Sequence, residues 1–221
     1  MKNKKIALVT EAGNDLGKQF AHILLENGYE VIVAACSDSL ENLSQDKDAL
    51  LSYDLVEIDF TSEQHLYILK EKINNTYGKL DLLINNAEIV NGFGHKIDQL
   101  DVDDVRKVFE INFFSIIKTI QVLKPLLLKC ASPRIINITS SLGDIDKMKD
   151  ENFCYYDYCL TAYSTSKAAL NLFTQLQTKE FESSKISMSS FDPILMENCT
   201  HNSATISDAI KNEFISLLTT E

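Results

Sequence analysis

The sequence contains few residues that break regular structure: its 221 residues include seven Gly and three Pro. It also lacks internal repeats and low-complexity tracts, so no segment has the composition of a flexible linker. A chain of this length has room for one substantial hydrophobic core. We therefore predict a single domain over residues 1–221.

Motifs for metal binding and for disulfide pairing are missing. The four His residues are scattered, with no H-E-x-x-H and no Cys/His cluster, which predicts that there is no metal site. The five Cys residues form no C-x-x-C pair and their number is odd. This pattern favours reduced thiols in a cytoplasmic protein over a disulfide framework.

Long apolar runs and an excess of basic residues are absent as well. No uninterrupted apolar stretch approaches the roughly 18 residues that a membrane span needs. The short apolar run after the basic N-terminus, IALV, is too short for a signal-peptide core. A formal net charge of −11 argues against nucleic acids and anionic membranes as partners. We expect a cytoplasmic protein in which any anionic cofactor is attracted locally.

Six apolar runs predict the strands of a parallel sheet. The runs are continuous rather than alternating, as expected of strands that are covered on both faces. Segments with helical periodicity separate them, and the clearest apolar stripe extends from Val105 to Leu127. This alternation predicts a doubly wound α/β fold with right-handed crossovers. The predicted strands lie at residues 5–10, 30–36, 55–59, 80–86, 134–140 and 185–191.

Two further segments complete the prediction. Residues 141–162 are irregular and rich in Asp, Lys, Tyr and Cys, which indicates a surface insertion. The motif CYYDYCL within it either lines a substrate pocket or packs its tyrosines on one another, and we favour the second interpretation. The C-terminal tail predicts a helix near 206–218 and no further strand. A ligand should bind at the carboxyl ends of the strands, where the strand order reverses.

A Tyr and a Lys four residues apart, Tyr163 and Lys167, lie on one face of a predicted helix. An adjacent ammonium lowers the pKa of a phenol, whose usual value of about 10 is too high for acid–base chemistry at neutral pH. Ser140 ends a predicted strand, and Asn112 interrupts the apolar stripe of a helix. Each residue alone can also be structural, Asn112 as a helix kink or a satisfied core amide.

Taken together and in this order, these motifs resemble the short-chain dehydrogenase/reductase family, from the first strand to about residue 200. LLINNA at 82–87 is similar to the family's N-N-A-G segment after the fourth strand. The resemblance implies a Rossmann-type, three-layer α/β/α fold with six strands in the order 3-2-1-4-5-6, the family's seventh strand being missing. The 22 residues between Ser140 and Tyr163 resemble the carbonyl-reductase-like branch, which implies a monomer rather than a tetramer.

The resemblance also implies a function: hydride transfer between a nicotinamide dinucleotide and a small carbonyl or alcohol substrate. Tyr163 would exchange a proton with the substrate oxygen, and Lys167 would lower the pKa of Tyr163 and bind the nicotinamide ribose. Ser140 would orient the carbonyl, and Asn112 would hold a water that relays protons. The residues implied in cofactor binding are Thr10, Gly13, Asn14, Leu16, Gly17, Asp59 (at the adenine), Phe60, Asn86, Ala87, Tyr163, Lys167 and Pro193.

The first loop, TEAGNDLG, departs from the family pattern T-G-x-x-x-G-x-G because Glu11 and Asp15 replace two glycines and Gly17 is kept. Asp15 at a helix N-terminus caps the amides that would otherwise bind phosphate. A carboxylate about 5 Å from a phosphate repels it by roughly 3 kcal/mol at an effective dielectric constant of about 20. Binding is weakened unless Glu11 points to solvent, Lys18 compensates, or the turn uses Gly13 instead.

Other departures affect the same cleft. Glu88 replaces the glycine of N-N-A-G, and Ile194 and Asn198 replace a Gly and a Thr after Pro193. Cys36 stands where NADP-preferring relatives have Arg, and no acid occupies the position typical of NAD enzymes, so the sequence does not choose between NADP(H) and NAD(H). An oxidoreductase is our first hypothesis. The alternatives are a pseudoenzyme that binds or regulates without a dinucleotide, and a non-redox acid–base catalyst.

Overall fold

The computed structural model describes residues 4–13, 15–44, 53–92, 95–158, 160–193 and 207–219, and these contain one parallel sheet of six strands. The spatial order is β3-β2-β1-β4-β5-β6, and every neighbouring pair is parallel. The predicted fold class and strand order are confirmed. The strands are β1 (Lys5–Thr10), β2 (Tyr29–Ala35), β3 (Tyr53–Glu57), β4 (Leu82–Asn85), β5 (Arg134–Ile138) and β6 (Ser187–Phe191).

Helices connect the strands, as the periodic segments predicted. The long apolar stripe forms two α-helices rather than one, joined by a π-helical turn at Glu110–Phe114 that contains Asn112. The α-helices among the described residues are α1 (Asp15–Glu26), α2 (Ser37–Ser44), α3 (Glu63–Thr76), α4 (Val102–Phe109), α5 (Ser115–Leu127), α6 (Thr161–Phe181) and α7 (Asp208–Thr219).

The hydrophobic core covers both faces of the sheet. Because successive strand residues point to opposite faces, Leu8 lies in the cluster with α3, α5 and α6, whereas Val9 lies in the cluster with α1 and α7. Both side chains are fully buried. This three-layer arrangement explains why the strand sequences are apolar without alternation.

Helix α7 confirms the helix predicted near 206–218. Its Phe214 ring lies 4.6 Å from the Phe20 ring of α1 and 5.3 Å from the Phe191 ring of β6, measured between ring centroids. The Arg134 guanidinium donates a hydrogen bond of 2.7 Å to the Leu217 carbonyl. The helix is therefore anchored on the sheet face opposite to α6.

The insertion at 141–162 packs against α6, the helix that contains Tyr163 and Lys167. Two 3₁₀ turns, Ser141–Gly143 and Lys147–Lys149, begin the segment, and Tyr155 is buried against Tyr163. The Tyr155 and Tyr158 rings pack edge to face with their centroids 5.1 Å apart. The tyrosines thus pack on one another, as the interpretation that we favoured predicted.

One cysteine corrects the expectation of reduced thiols. Cys154, in the insertion, is disulfide-bonded. Cys36 and Cys130 are free, whereas Cys159 and Cys199 fall outside the described part of the chain. A disulfide within or beside an irregular loop constrains its conformations, a feature that spacing alone did not indicate.

The described residues contain neither a candidate membrane span nor a candidate metal site. No helix among them is long and apolar enough to cross a membrane. They also contain no group of three or more His, Cys, Asp or Glu side chains that could hold a metal ion.

Candidate active site

The carboxyl ends of β1 and β4 are joined by polar contacts of Thr10. Its hydroxyl oxygen accepts hydrogen bonds from the backbone amides of Asn86 (2.9 Å) and Ala87 (3.0 Å). The Asn86 side chain donates to the carbonyls of Thr10 and Glu11, both at 3.0 Å. These predicted cofactor-binding residues therefore hold the first loop against the end of β4.

The first loop keeps its turn although its first glycine is lost. Glu11 has φ = 52°, in the left-handed region that glycine adopts without strain. Its backbone amide donates to the Ala34 carbonyl at 2.7 Å. A Cβ atom on Gly17 would lie 2.5 Å from the Ala12 Cα. Gly17 is needed for close packing of helix on strand, so the loop preserves the fold.

The Glu11 side chain does not point to solvent. One carboxylate oxygen accepts a hydrogen bond of 2.9 Å from the backbone amide of Cys36, and the other accepts one of 2.9 Å from the Ser39 hydroxyl. Both partners lie at the start of α2, where backbone amides have no partner within the helix. The carboxylate is therefore held against α2 and only partly exposed to solvent.

The loop also packs directly on α2. A Cβ atom on Gly13 would lie 2.4 Å from the Cβ of Ser39, so no larger residue fits here without movement. Leu16 packs into the core. Helix α1 begins at Asp15. Asn14 and the Asp15 side chain lie outside the described part of the structure, so the cap stays a prediction.

The other residues predicted at the adenosine end have mixed environments. Asp59 is exposed after β3, and its carboxylate accepts hydrogen bonds of 2.8 and 2.7 Å from the amide and hydroxyl of Thr61. These bonds hold the pKa of Asp59 below its usual range. Phe60 is buried in the core and Pro193 is half-buried after β6. Ile194 and Asn198 lie outside the described residues.

Asn112 fastens the segment after β4 to α6. Its amide nitrogen donates to the Ile89 carbonyl at 2.9 Å and to the Ser166 hydroxyl at 3.2 Å, and its oxygen accepts from the Ile89 amide at 2.8 Å. The side chain is fully buried, so these bonds satisfy it. Asn112 is therefore a satisfied core amide, one of the structural alternatives that the sequence left open, and it lies beside the other candidate residues.

Ser140, Tyr163 and Lys167 come together at the carboxyl end of β5, and all three are buried. The Ser140 hydroxyl accepts a hydrogen bond of 3.2 Å from the Leu142 amide. The Lys167 ammonium donates to the Ile138 carbonyl at 2.8 Å and lies 5.5 Å from the centroid of the Tyr163 ring. With Asn112 nearby, the structure brings the four predicted catalytic residues to one place.

Glu88 lies between Tyr163 and Lys167, which the sequence did not predict. One of its carboxylate oxygens is 2.5 Å from the Lys167 ammonium and accepts a hydrogen bond of 3.1 Å from the Tyr163 hydroxyl. Lys167 is 1% exposed and Glu88 25% exposed. The sequence signal was a Glu in place of a Gly immediately after β4, which indicates an acid near the cleft without showing what it contacts.

This placement changes the electrostatics of Tyr163. Burial, and next the negative charge of Glu88, raise the pKa of the Tyr163 phenol well above its ordinary value, while the hydrogen bond with Ser140 acts in the opposite direction. We expected Lys167 to lower this pKa. The net direction is the reverse because the phenol is buried and the lysine is paired with Glu88.

A polar cluster that the sequence did not identify borders Ser140. The Ser141 hydroxyl donates a short hydrogen bond to Asp192, and the Lys147 ammonium donates to Ser141 at 3.3 Å. These residues line an open cavity of about 700 Å³ together with Ser140. The cavity provides space for a small molecule next to the candidate catalytic groups.

Sequence comparison decides the family. The family described as short chain dehydrogenase matches residues 5–210. The chain belongs to the short-chain dehydrogenase family. This short-chain dehydrogenase is 30% identical over 195 residues to an uncharacterized oxidoreductase of Staphylococcus aureus (strain N315), covering 87% of the chain and 78% of the relative. It is 31% identical over 198 residues to the rhamnolipids biosynthesis 3-oxoacyl-[acyl-carrier-protein] reductase of Pseudomonas aeruginosa, covering 86% of the chain and 72% of the relative.

Solved structures share the fold of this short-chain dehydrogenase. The NADPH-bound carbonyl reductase from chicken fatty liver superposes with a TM-score of 0.76 at 24% identity, covering 86% of the chain and 79% of the reductase. The family and the fold therefore agree with the resemblance read from the sequence, and the family is one of oxidoreductases.

Proposed function

We propose that this short-chain dehydrogenase is an oxidoreductase that uses a nicotinamide dinucleotide, NAD(H) or NADP(H), and acts on a small carbonyl or alcohol compound. One observation carries the proposal. Ser140, Tyr163 and Lys167 meet in a buried cluster beside an open cavity, and Asn112 donates a hydrogen bond to Ser166 on α6, the helix that contains Tyr163 and Lys167. The relatives named above are an oxidoreductase and two reductases, which supports the same class of reaction.

The residue types at the nicotinamide end fit the cofactor. The Tyr163 hydroxyl and the Lys167 ammonium converge on a single oxygen atom, which Glu88 provides in this structure. A ribose hydroxyl oxygen can accept from the Lys167 ammonium, and a ribose hydroxyl can donate to the Tyr163 oxygen, so these two groups would hold the nicotinamide ribose once Glu88 moves aside. Thr10, Gly17, Asn86 and Ala87 shape the floor of the cleft. The bound dinucleotide supplies hydride chemistry.

Tyr163 is suited to donating a proton. Because its pKa is raised, the phenol is protonated at neutral pH, and it can give a hydrogen bond to a carbonyl oxygen that is becoming an alkoxide. Ser140, buried in the same cluster, would give the same oxygen a second donor. In the reverse direction the same two residues would take the proton back as an alcohol is oxidised.

The remaining expectations belong to this proposal. The substrate would enter the cavity beside Ser140, and the chain would act as a single-domain cytoplasmic monomer over residues 1–221. The insertion at 141–162 covers part of α6, which leaves less of that helix for contact with another copy.

A second candidate function is favoured by the two internal acids. Glu88 pairs with the catalytic Lys167, and Glu11 uses both carboxylate oxygens at the start of α2. Each carboxylate provides the contacts that a bound ligand would otherwise make, which is the arrangement expected of a pseudoenzyme that has lost dinucleotide binding.

Cofactor binding separates the two candidates. For the oxidoreductase, NADH or NADPH at about millimolar concentration raises the melting temperature, since a ligand that binds only the native state stabilises it. Tyr163→Phe then lowers turnover of a carbonyl panel by at least about a hundredfold and leaves dinucleotide affinity nearly unchanged. Tyr156→Phe, at a more exposed tyrosine, is the matched control. If no dinucleotide changes the melting temperature, the oxidoreductase hypothesis is wrong and the pseudoenzyme hypothesis is supported.

A further inference from the structure

The first loop places an acid at the end of the second strand. Glu11 belongs to the loop after β1, yet its carboxylate accepts a 2.9 Å hydrogen bond from the amide of Cys36, the first residue after β2. The Ser39 hydroxyl holds the other oxygen at 2.9 Å. Two hydrogen bonds from different residues fix the position of the carboxylate, so its charge is held at this point of the cleft.

The end of β2 is where a Rossmann fold distinguishes the two nicotinamide dinucleotides. An acid there hydrogen-bonds the 2′-hydroxyl of the adenosine ribose, and an Arg there accommodates the 2′-phosphate of NADP. The residues from Cys36 to Leu40, CSDSL, contribute Asp38 but no Lys or Arg. Cys36 and Ser37 directly follow β2, and the nearest acid in the sequence, Asp38, lies in the first turn of α2. The structure adds a second acid, Glu11, from a different loop.

We propose that Glu11 is a specificity-determining residue: its carboxylate excludes the 2′-phosphate of NADP(H) and leaves NAD(H) as the dinucleotide that the site accepts. The inference rests on the proposed function. It predicts a preference opposite to the cofactor bound in the solved carbonyl reductase from chicken fatty liver, which contains NADPH.

The expected discrimination follows from charge. A carboxylate held about 5 Å from a phosphate disfavours it by roughly a hundredfold at an effective dielectric constant of about 20. Glu11 is partly exposed, and solvent ions screen some of this repulsion. We therefore expect NADH to bind more tightly than NADPH by between about tenfold and about a hundredfold.

The test is a calorimetric titration of the full chain with NADH and, separately, with NADPH. Glu11→Gln removes the charge and keeps an amide oxygen that can accept from Cys36, so it should reduce the preference for NADH by about tenfold, mainly through tighter NADPH binding. Glu71→Gln, at an exposed position on α3, removes one charge elsewhere and should leave the preference unchanged.

A second measurement isolates the adenosine end. AMP and adenosine 2′,5′-bisphosphate differ by the 2′-phosphate and do not reach Tyr163 or Lys167, so their affinities for the wild-type protein test the exclusion of the 2′-phosphate even if Glu11→Gln does not fold. AMP should bind at least about tenfold more tightly.

The possible failures are distinguishable. Equal affinity for NADH and NADPH, or for the two fragments, or a preference that survives in Glu11→Gln, overturns the assignment of Glu11 and leaves the proposed function standing. If neither dinucleotide binds to the wild-type protein or to Glu11→Gln, the proposed function is wrong and the inference fails with it.

Discussion

Replacing Glu88 with Gln should convert Tyr163 from a phenol that resists ionisation into one that Lys167 activates. In the structure a single Glu88 oxygen is 3.1 Å from the Tyr163 hydroxyl and 2.5 Å from the Lys167 ammonium. The substitution keeps a side chain of the same shape and removes the charge. Lys167 then remains as the buried charge beside the phenol, and a neighbouring cation lowers the pKa of a phenol.

The magnitude follows from these distances. Two unit charges 3.1 Å apart interact by about 5 kcal/mol at an effective dielectric constant of about 20. Glu88 is 25% exposed, and water screens part of that energy, so we take about 2 kcal/mol as the lower bound. The ionisation constant of Tyr163 should then rise by at least about thirtyfold.

The assay is an ultraviolet titration of tyrosinate. Because the chain has eight Tyr residues, the signal of Tyr163 is taken as the difference between Glu88→Gln and the double variant Glu88→Gln with Tyr163→Phe. The same difference is measured between the wild type and Tyr163→Phe. Glu71→Gln serves as the control for loss of an exposed charge.

The same variant has a consequence for stability against pH. A phenol whose folded-state pKa is raised contributes stability below its unfolded pKa of about 10, and this contribution is lost as pH rises above that value, since only the unfolded chain releases the proton. In Glu88→Gln this loss should be smaller. If Tyr163 ionises at the same pH with and without Glu88, the role assigned to Glu88 is incorrect.

Two further substitutions test the supports of the site. Asn112→Ala leaves both the amide and the carbonyl of Ile89 without their side-chain partner and should lower the free energy of unfolding in urea by about 2–4 kcal/mol; the same loss in Asn75→Ala, an exposed amide on α3, would contradict this explanation. Gly13→Ala places a Cβ atom 2.4 Å from the Cβ of Ser39 and should cost about 1–3 kcal/mol of stability through overpacking. An unchanged melting temperature for Gly13→Ala would mean that the loop does not pack on α2 as described.

The sequence alone determined the fold and the identity of the candidate catalytic residues. Continuous apolar runs separated by periodic segments require a sheet that is covered on both faces, because such strands have no polar side to present to water. The order of motifs along the chain then placed Ser140 after β5 and Tyr163 one helical turn from Lys167. Pattern and spacing were sufficient for the fold class, whereas the strand order and the candidate roles of these residues came from the family resemblance.

The tertiary structure alone decided what the substituted acids do. The sequence showed that Glu11 and Glu88 replace glycines, but their partners lie 25 residues away at Cys36 and 75 residues away at Tyr163. Which partner a flexible carboxylate meets depends on its side-chain rotamer and on the distance between strand ends, and neither follows from local pattern. The reversed direction of the pKa shift of Tyr163 has the same origin, because burial and the approach of a distant charge exist only in the folded chain.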